Sequence, residues 1–208
     1  EKVFNMKRLL LILILTLSFQ TLSKADDIND FQMEGMSIGD SLLDFFTKEE
    51  IQLFINHEEA FFYKNNEFVL ITTHHTKKPY KKITGQYAFS GVAIKPSDNQ
   101  YIIHSLRGTL RFKKNIDNCL IEKNKIVKSI SSIFSNSKRK DSDKNHSYDK
   151  TGNSKSYATY FYVENGYTSI TCTDWSNKLE TEKGWYDNLK VSLIDNEYRK
   201  FLNTKAYK

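Results

Sequence analysis

The sequence predicts an α+β fold in which helices pack on an antiparallel β-sheet. Three observations carry that expectation. Runs rich in aromatic and β-branched residues recur, as at 68–74, 101–112 and 157–163. Short turn signals such as Asn65-Asn66 and Asn165-Gly166 join neighbouring runs into hairpins. Segments with helical apolar spacing separate the blocks of strands, so the order is helices, strands, helix, strands, helix. That order hints at two similar halves, each a helix followed by a meander.

The chain has 208 residues, enough for one domain with a substantial core. Lys7 and Arg8 follow Met6, an apolar run covers 9–17, and Ser23-Lys24-Ala25 supplies small residues at a cleavage site. This is the pattern of a secretory signal peptide over 1–25, with 1–5 read as a misassigned start before Met6. The apolar run is too short to span a bilayer, so no transmembrane segment is expected in the mature chain. Residues 26–208 are then one α+β domain, periplasmic or secreted.

Removing Lys2, Lys7, Arg8 and Lys24 against Glu1 lowers the net charge from +6 to +3. Only Arg8, Arg107, Arg111, Arg139 and Arg199 are arginine, and lysine is scattered among Asn and Ile. Both features argue against a nucleic-acid partner, which is read by clustered arginines.

Asp40 or Ser41 caps a short helix through Phe46, and Thr47-Lys48-Glu49-Glu50 is a capping box for a second helix through about Asn56. Strands are expected at 59–63 and 68–74, then at 87–94 and 101–112 around the turn Pro96-Ser97-Asp98-Asn99. Asn115 or Asp117 opens a helix to about Phe134, with Cys119, Ile116, Ile126, Ile130 and Ile133 on one stripe. Residues 136–156 are almost wholly polar and read as a mobile loop. The hairpin 157–163/167–175 turns at Asn165-Gly166, which sets Val163 opposite Thr168, Phe161 opposite Ile170 and Thr159 opposite Cys172. A strand at 189–194 and a helix from Asp195 to about Asn203 complete the chain.

Alternation in the hairpin turns Phe161, Val163, Ile170 and Cys172 to one face, and Cys119 points into the same layer from its helix. A Cys119–Cys172 disulfide is expected, in a compartment that permits one, with two buried free thiols as the alternative.

No G-x-S-x-G elbow, H-E-x-x-H pair or phosphate loop occurs, so no catalytic residue, cofactor or metal site is assigned. His74 and His75 alternate to opposite faces of a strand, and His104 sits between Ile102 and Leu106 in the place of a hydrogen-bonded core histidine. Lys77, Lys78, Lys81 and Lys82 form a basic loop suited at most to weak contact with an anionic surface. Tyr160 and Tyr162 on the outward hairpin face, with Trp175 and Trp185 near its end, are the candidate ligand-binding residues. The reading favoured is a non-enzymatic module that binds a protein, peptide or glycan. A small hydrolase with a dispersed site, for example around His104, and an envelope-associated structural protein are the alternatives.

Asp30-Phe31-Gln32-Met33-Glu34-Gly35-Met36-Ser37-Ile38-Gly39-Asp40-Ser41-Leu42-Leu43, Cys172-Thr173-Asp174-Trp175-Ser176 and Asp187-Asn188-Leu189-Lys190-Val191-Ser192-Leu193 resemble a group of uncharacterised exported proteins of AT-rich marine bacteria. That resemblance covers most of the mature chain and implies export without implying an activity. Gly35-x-x-x-Gly39-x-Ser41 ahead of two short helices and a meander is similar to the opening of small envelope domains of the outer-membrane-assembly lipoprotein type. The lipidated cysteine of those domains is missing, so only their architecture is implied.

Overall fold

The computed structural model describes residues 27–33, 35–74 and 89–207; the signal peptide expected over 1–25 and Lys77, Lys78, Lys81 and Lys82 lie outside the described residues. Polar side chains set the helix starts. Thr47 Oγ1 accepts from the Glu50 N–H (3.2 Å) and the Glu50 carboxylate accepts from the Thr47 N–H (3.0 Å), opening α1, Lys48–Ile55. Just before it, Ser41 caps a single 3-10 turn, Leu42–Asp44, shorter than the helix expected through Phe46. Asn115 accepts from the Asn118 N–H at 3.0 Å and opens α2, Ile116–Ile133. A short helix that the sequence did not announce, α3, Asn177–Lys183, stops at Gly184, whose φ of 65° is left-handed. Asp195 accepts from the Tyr198 N–H at 2.6 Å and opens α4, Asn196–Thr204.

A two-residue ribbon, β1 (Gln32–Met33) and β2 (Met36–Ser37), precedes the main sheet. The main sheet holds β3 (Phe61–Phe62), β4 (Val69–His74), β5 (Phe89–Ile94), β6 (Ser105–Phe112), β7 (Lys138–Asn145), β8 (Lys155–Val163), β9 (Gly166–Asp174) and β10 (Asp187–Asp195). Its order is β3-β4-β5-β6-β10-β9-β8-β7 and every pair is antiparallel. The fold is α+β as the sequence predicts. Two four-stranded meanders, one after α1 and one after α2, meet through their last strands, so a helix-then-meander unit recurs in the topology.

Strand alternation separates two apolar layers. Val69, Ile71, Val92, Ile94, Leu106, Phe161, Ile170, Leu189, Val191 and Leu193 are buried on the face that α2 covers. Tyr63, Phe68, Leu70, Ala93 and Ile194 are buried on the opposite face, at one end, beneath Tyr198 and Phe201 of α4. Cys119 of α2 and Cys172 of β9 stand at disulfide distance, with Cα atoms 6.0 Å apart, as the two periodicities predict.

Four further details differ from the sequence reading. The stretch 136–156 is not a loop throughout, because β7 pairs with β8 along its whole length. Seven of the eight β7 residues are exposed, so this edge strand carries no apolar period to read, and its charges protect the open edge. The turn after it closes on Asp149, which accepts from Thr151 Oγ1 (2.7 Å), Ser154 Oγ (2.7 Å) and the Thr151 N–H (3.0 Å); these donors hold its carboxyl well below the usual range.

The β8–β9 register is displaced by two. Val163 pairs with Gly166, Phe161 with Thr168, Thr159 with Ile170 and Tyr157 with Cys172. Asn165, at φ 60°, is the left-handed turn residue, and Gly166 already belongs to β9. A slip of two leaves each side chain on its expected face, which is why the core and the disulfide are unaffected.

On α2 the buried stripe is Cys119, Lys123, Val127 and Ile130, with Ile116, Ile126 and Ile133 only partly buried along its flank. The Lys123 ammonium donates to Thr159 Oγ1 (3.0 Å), and that hydroxyl donates to Asp141 Oδ1 (2.6 Å). Burial pushes the lysine pKa down and Asp141 opposes it.

His104 lies one residue before β6 rather than within the strand, because the preceding residues pair elsewhere: Gly39 N–H donates to Ile103 O and Ile103 N–H to Asp40 O, both at 2.9 Å. The His104 ring, 7% exposed, packs at 5.1 Å against Phe68 and bonds through Nδ1 to Asp195 Oδ2 at 2.6 Å. It thus ties β6 to the cap of α4. We expect His104→Ala to cost about 2–3 kcal/mol in a urea titration while leaving ligand binding intact. A loss of binding without loss of stability would instead make this histidine functional.

Candidate functional site

The outward face of the sheet, opposite α2, follows from the register. Arg107, Thr109 and Arg111 of β6 pair with Ser192, Lys190 and Asn188 of β10. Lys190 and Asn188 pair on their other side with Thr171 and Thr173 of β9. Leu106, Leu110, Leu189 and Val191, which alternate with these residues, point into the α2 layer, so the polar set faces away from it.

Beyond β9 the chain leaves the sheet at Trp175, whose N–H donates to the buried Asp187 carboxylate at 2.9 Å. Helix α3 and the left-handed Gly184 then bring it back at Trp185 and Tyr186. The indoles of Trp175 and Trp185 lie 4.5 Å apart; His146 lies 4.4 Å from Trp175 and Tyr148 4.9 Å from Trp185. The result is a trough of about 300 Å³ with Trp175, Trp185 and Tyr186 along its wall and Arg107, Thr109, Arg111, Asn188 and Lys190 on its floor.

The floor is cationic. Among the described residues, Arg107, Arg111 and Lys190 have no carboxylate partner. Among the described residues the buried Arg107 Nε–H has no acceptor, and the Arg111 guanidinium lies 5.9 Å from the Tyr186 ring. Burial, reinforced by the Arg107 charge, pushes the Lys190 ammonium down to about 8. His146 is lowered by burial and by Lys190 and Lys144.

Tyr160 and Tyr162 share this face but not this trough. Ser169, opposite Tyr160, and Trp175 are six residues apart along β9, roughly 20 Å at the rise of a strand. The two tyrosines group with Tyr167, at 6.1 and 5.8 Å, and Arg199 of α4 sits 5.4 Å over Tyr162 and 5.7 Å over Tyr167. They line a second hollow of about 270 Å³ with Lys140, Lys144 and Arg199. Burial raises the Tyr160 pKa and pushes Tyr167 up to about 12. The four candidate residues therefore divide into two pairs at opposite ends of one face. Arg107, Arg111, Lys190 and His146 were missed by the sequence reading. The alternation of Leu106, Leu110 and the two arginines was the available signal, but Lys190 joins them only through pairing between distant segments.

On the other side of Trp175, Asp174, Asp187 and Glu180 line a hollow of about 450 Å³ together with Lys114. Burial first, and then Asp187, raise the Asp174 pKa. Glu180 faces Lys114 at 3.6 Å. Among the described residues, no group of three or more His, Cys, Asp or Glu could hold a metal ion, and no helix is long and apolar enough to cross a membrane. His75 lies outside the described residues. No protein-family model matches the chain, and neither does any curated protein or solved structure, so the site is read from its own geometry.

Proposed function

We propose that the protein is a periplasmic or secreted binding module without enzymatic activity, that its ligand is a glycan, and that it belongs with the exported proteins its sequence resembles. The observation that carries the reading is the Trp175–Trp185 pair set over a trough whose floor offers Thr109, Asn188 and cationic donors. A pyranose presents an apolar ring face and a rim of hydroxyls, which is what an aromatic wall above a polar floor complements. A protein partner would call for a broad surface with an apolar centre, whereas this site is concave and polar at its base. The disulfide-spaced cysteines and the leader support a place outside the cytosol.

Trp185→Ala should weaken binding of an oligosaccharide ligand by about tenfold in calorimetric titration, since stacked aromatic area is lost. Tyr160→Ala, in the separate hollow, should leave it unchanged. Equal effects of the two substitutions would remove the Trp175–Trp185 trough as the binding site.

The acidic hollow favours a second reading, a small hydrolase, because burial, and then the neighbouring Asp187, push the Asp174 pKa upward, the direction a general acid requires. Release of reducing ends from a bound oligosaccharide, lost in Asp174→Asn, would replace the binding module with that enzyme.

A further inference from the structure

Arg107 and Lys190 are placed where a structural role does not account for them. Both rise from the middle of the sheet, on neighbouring strands with Thr109 and Ser192 between them, and both line the trough beside the indoles. Neither meets a carboxylate among the described residues, and the Arg107 Nε–H is buried with no acceptor. The groups that face Lys190 are Arg107 and Arg111 from β6 and His146, lowered by burial, from the turn after β7, and no carboxylate lines the trough among the described residues. Two unpaired cations in a partly desolvated hollow cost folding free energy, and an apolar pair of the same volume would cost less. Elsewhere the chain pairs its partly buried cations: Lys95 reaches Glu197, and Lys123 reaches Thr159 and through it Asp141.

We propose that Arg107 and Lys190 form a subsite for an oxyanion substituent, a uronate carboxylate or a sulfate ester, carried by the same glycan whose ring lies against Trp175 and Trp185. This rests on the glycan reading and adds the charge of the ligand to it. The fork of Arg107 donates two parallel hydrogen bonds to such a group and the Lys190 ammonium adds a point charge from the facing strand. Arg111, whose guanidinium lies over the Tyr186 ring, attracts the anion without being needed to seat it.

The test uses four probes on the full mature chain: tetragalacturonate, a sulfated heparin tetrasaccharide, neutral cellotetraose and sodium sulfate. Binding is read by calorimetry and tryptophan fluorescence. At least one acidic tetrasaccharide is expected to bind tenfold or more tightly than cellotetraose, and which one it is tells carboxylate from sulfate. Arg107→Gln and Lys190→Met should each remove about tenfold more affinity for that acidic sugar than for cellotetraose. Lys190→Met should at the same time raise the thermal midpoint of the ligand-free protein by roughly 3–6 °C, because it removes a desolvated charge. A residue kept for stability would move the midpoint the other way, and Lys190→Gln supplies the same comparison if the methionine variant folds poorly. Equal binding of neutral and acidic sugars, or unchanged acidic binding in both variants, overturns the anion subsite and leaves the glycan reading standing. Sodium sulfate binding as tightly as the acidic sugars keeps the anion subsite and overturns the glycan reading. No binding by any probe overturns both.

Discussion

Replacing Cys119 and Cys172 together by alanine is expected to lower stability by about 3–4 kcal/mol and the thermal midpoint by roughly 10 °C. The bond closes a loop of 53 residues, and restricting that loop in the unfolded chain is the main source of the effect. The loop runs from Cys119 through the rest of α2, β7 and β8 into β9, so the crosslink fastens α2 to the second meander. Both sulfurs are fully buried among Ile170, Leu189 and Val191, which shields the bond from reductant in the folded state. Reduction should therefore require unfolding: in native buffer dithiothreitol should act slowly, and in 2 M urea quickly. Thermal scans with and without reductant measure the difference. A double variant within about 1 kcal/mol of the parent would show that helix and sheet hold together without the bond. Mass spectrometry of exported material adds a check on location, with an N-terminus at Asp26 and no alkylatable thiol expected.

The parts of the fold legible in the sequence are those with a local chemical cause. Thr47, Asn115 and Asp195 announce their helices because a cap is made within four residues. Cys119 and Cys172 could be assigned to one layer because each periodicity is fixed by its own element, even though the hairpin register was displaced. The displacement itself has a clear origin: Asn165-Gly166 looks like a two-residue turn, but only Asn165 is left-handed and the glycine is needed for another reason. Strand β7 was illegible because an edge with both faces wet has no apolar alternation. The trough was illegible because its walls come from the ends of β9 and α3, and its floor from β6 and β10, whose pairing no short-range pattern encodes. Its cations also look like ordinary solvated charges until burial is known. Tyr160 and Tyr162 were placed on the correct face, but sequence proximity to Trp175 overstated how near an extended strand would leave them.

That other reason for Gly166 makes the second large prediction. Gly166→Ala should destabilise the protein by about 3–4 kcal/mol, beyond the usual cost of overpacking. A Cβ on Gly166 would stand 2.4 Å from the backbone oxygen of Ile194 and 2.9 Å from Cγ2 of Ile28, and neither can withdraw. The Ile194 oxygen belongs to β10, held between β6 and β9, and Ile28 is fully buried. The hairpin tip is also fastened on both sides: the Ile28 N–H donates to Glu164 O at 3.1 Å and the Asn196 N–H to Asn165 O at 2.9 Å, while the Asn165 amide bonds the Asp27 carboxylate. Relief by moving the tip would therefore break the contacts that join the N-terminal segment and the start of α4 to the second meander. Gly35→Ala provides the comparison, since among the described residues, chain neighbours aside, no atom lies within 4 Å of its Cβ position and its φ of +85° is what opposes the change, at about 1 kcal/mol. Urea midpoints of the two variants separate steric exclusion from backbone strain. A Gly166 variant no less stable than the Gly35 one would mean that the tip is not wedged between Ile28 and β10, and the N-terminal segment would then have to be docked by its own apolar contacts alone.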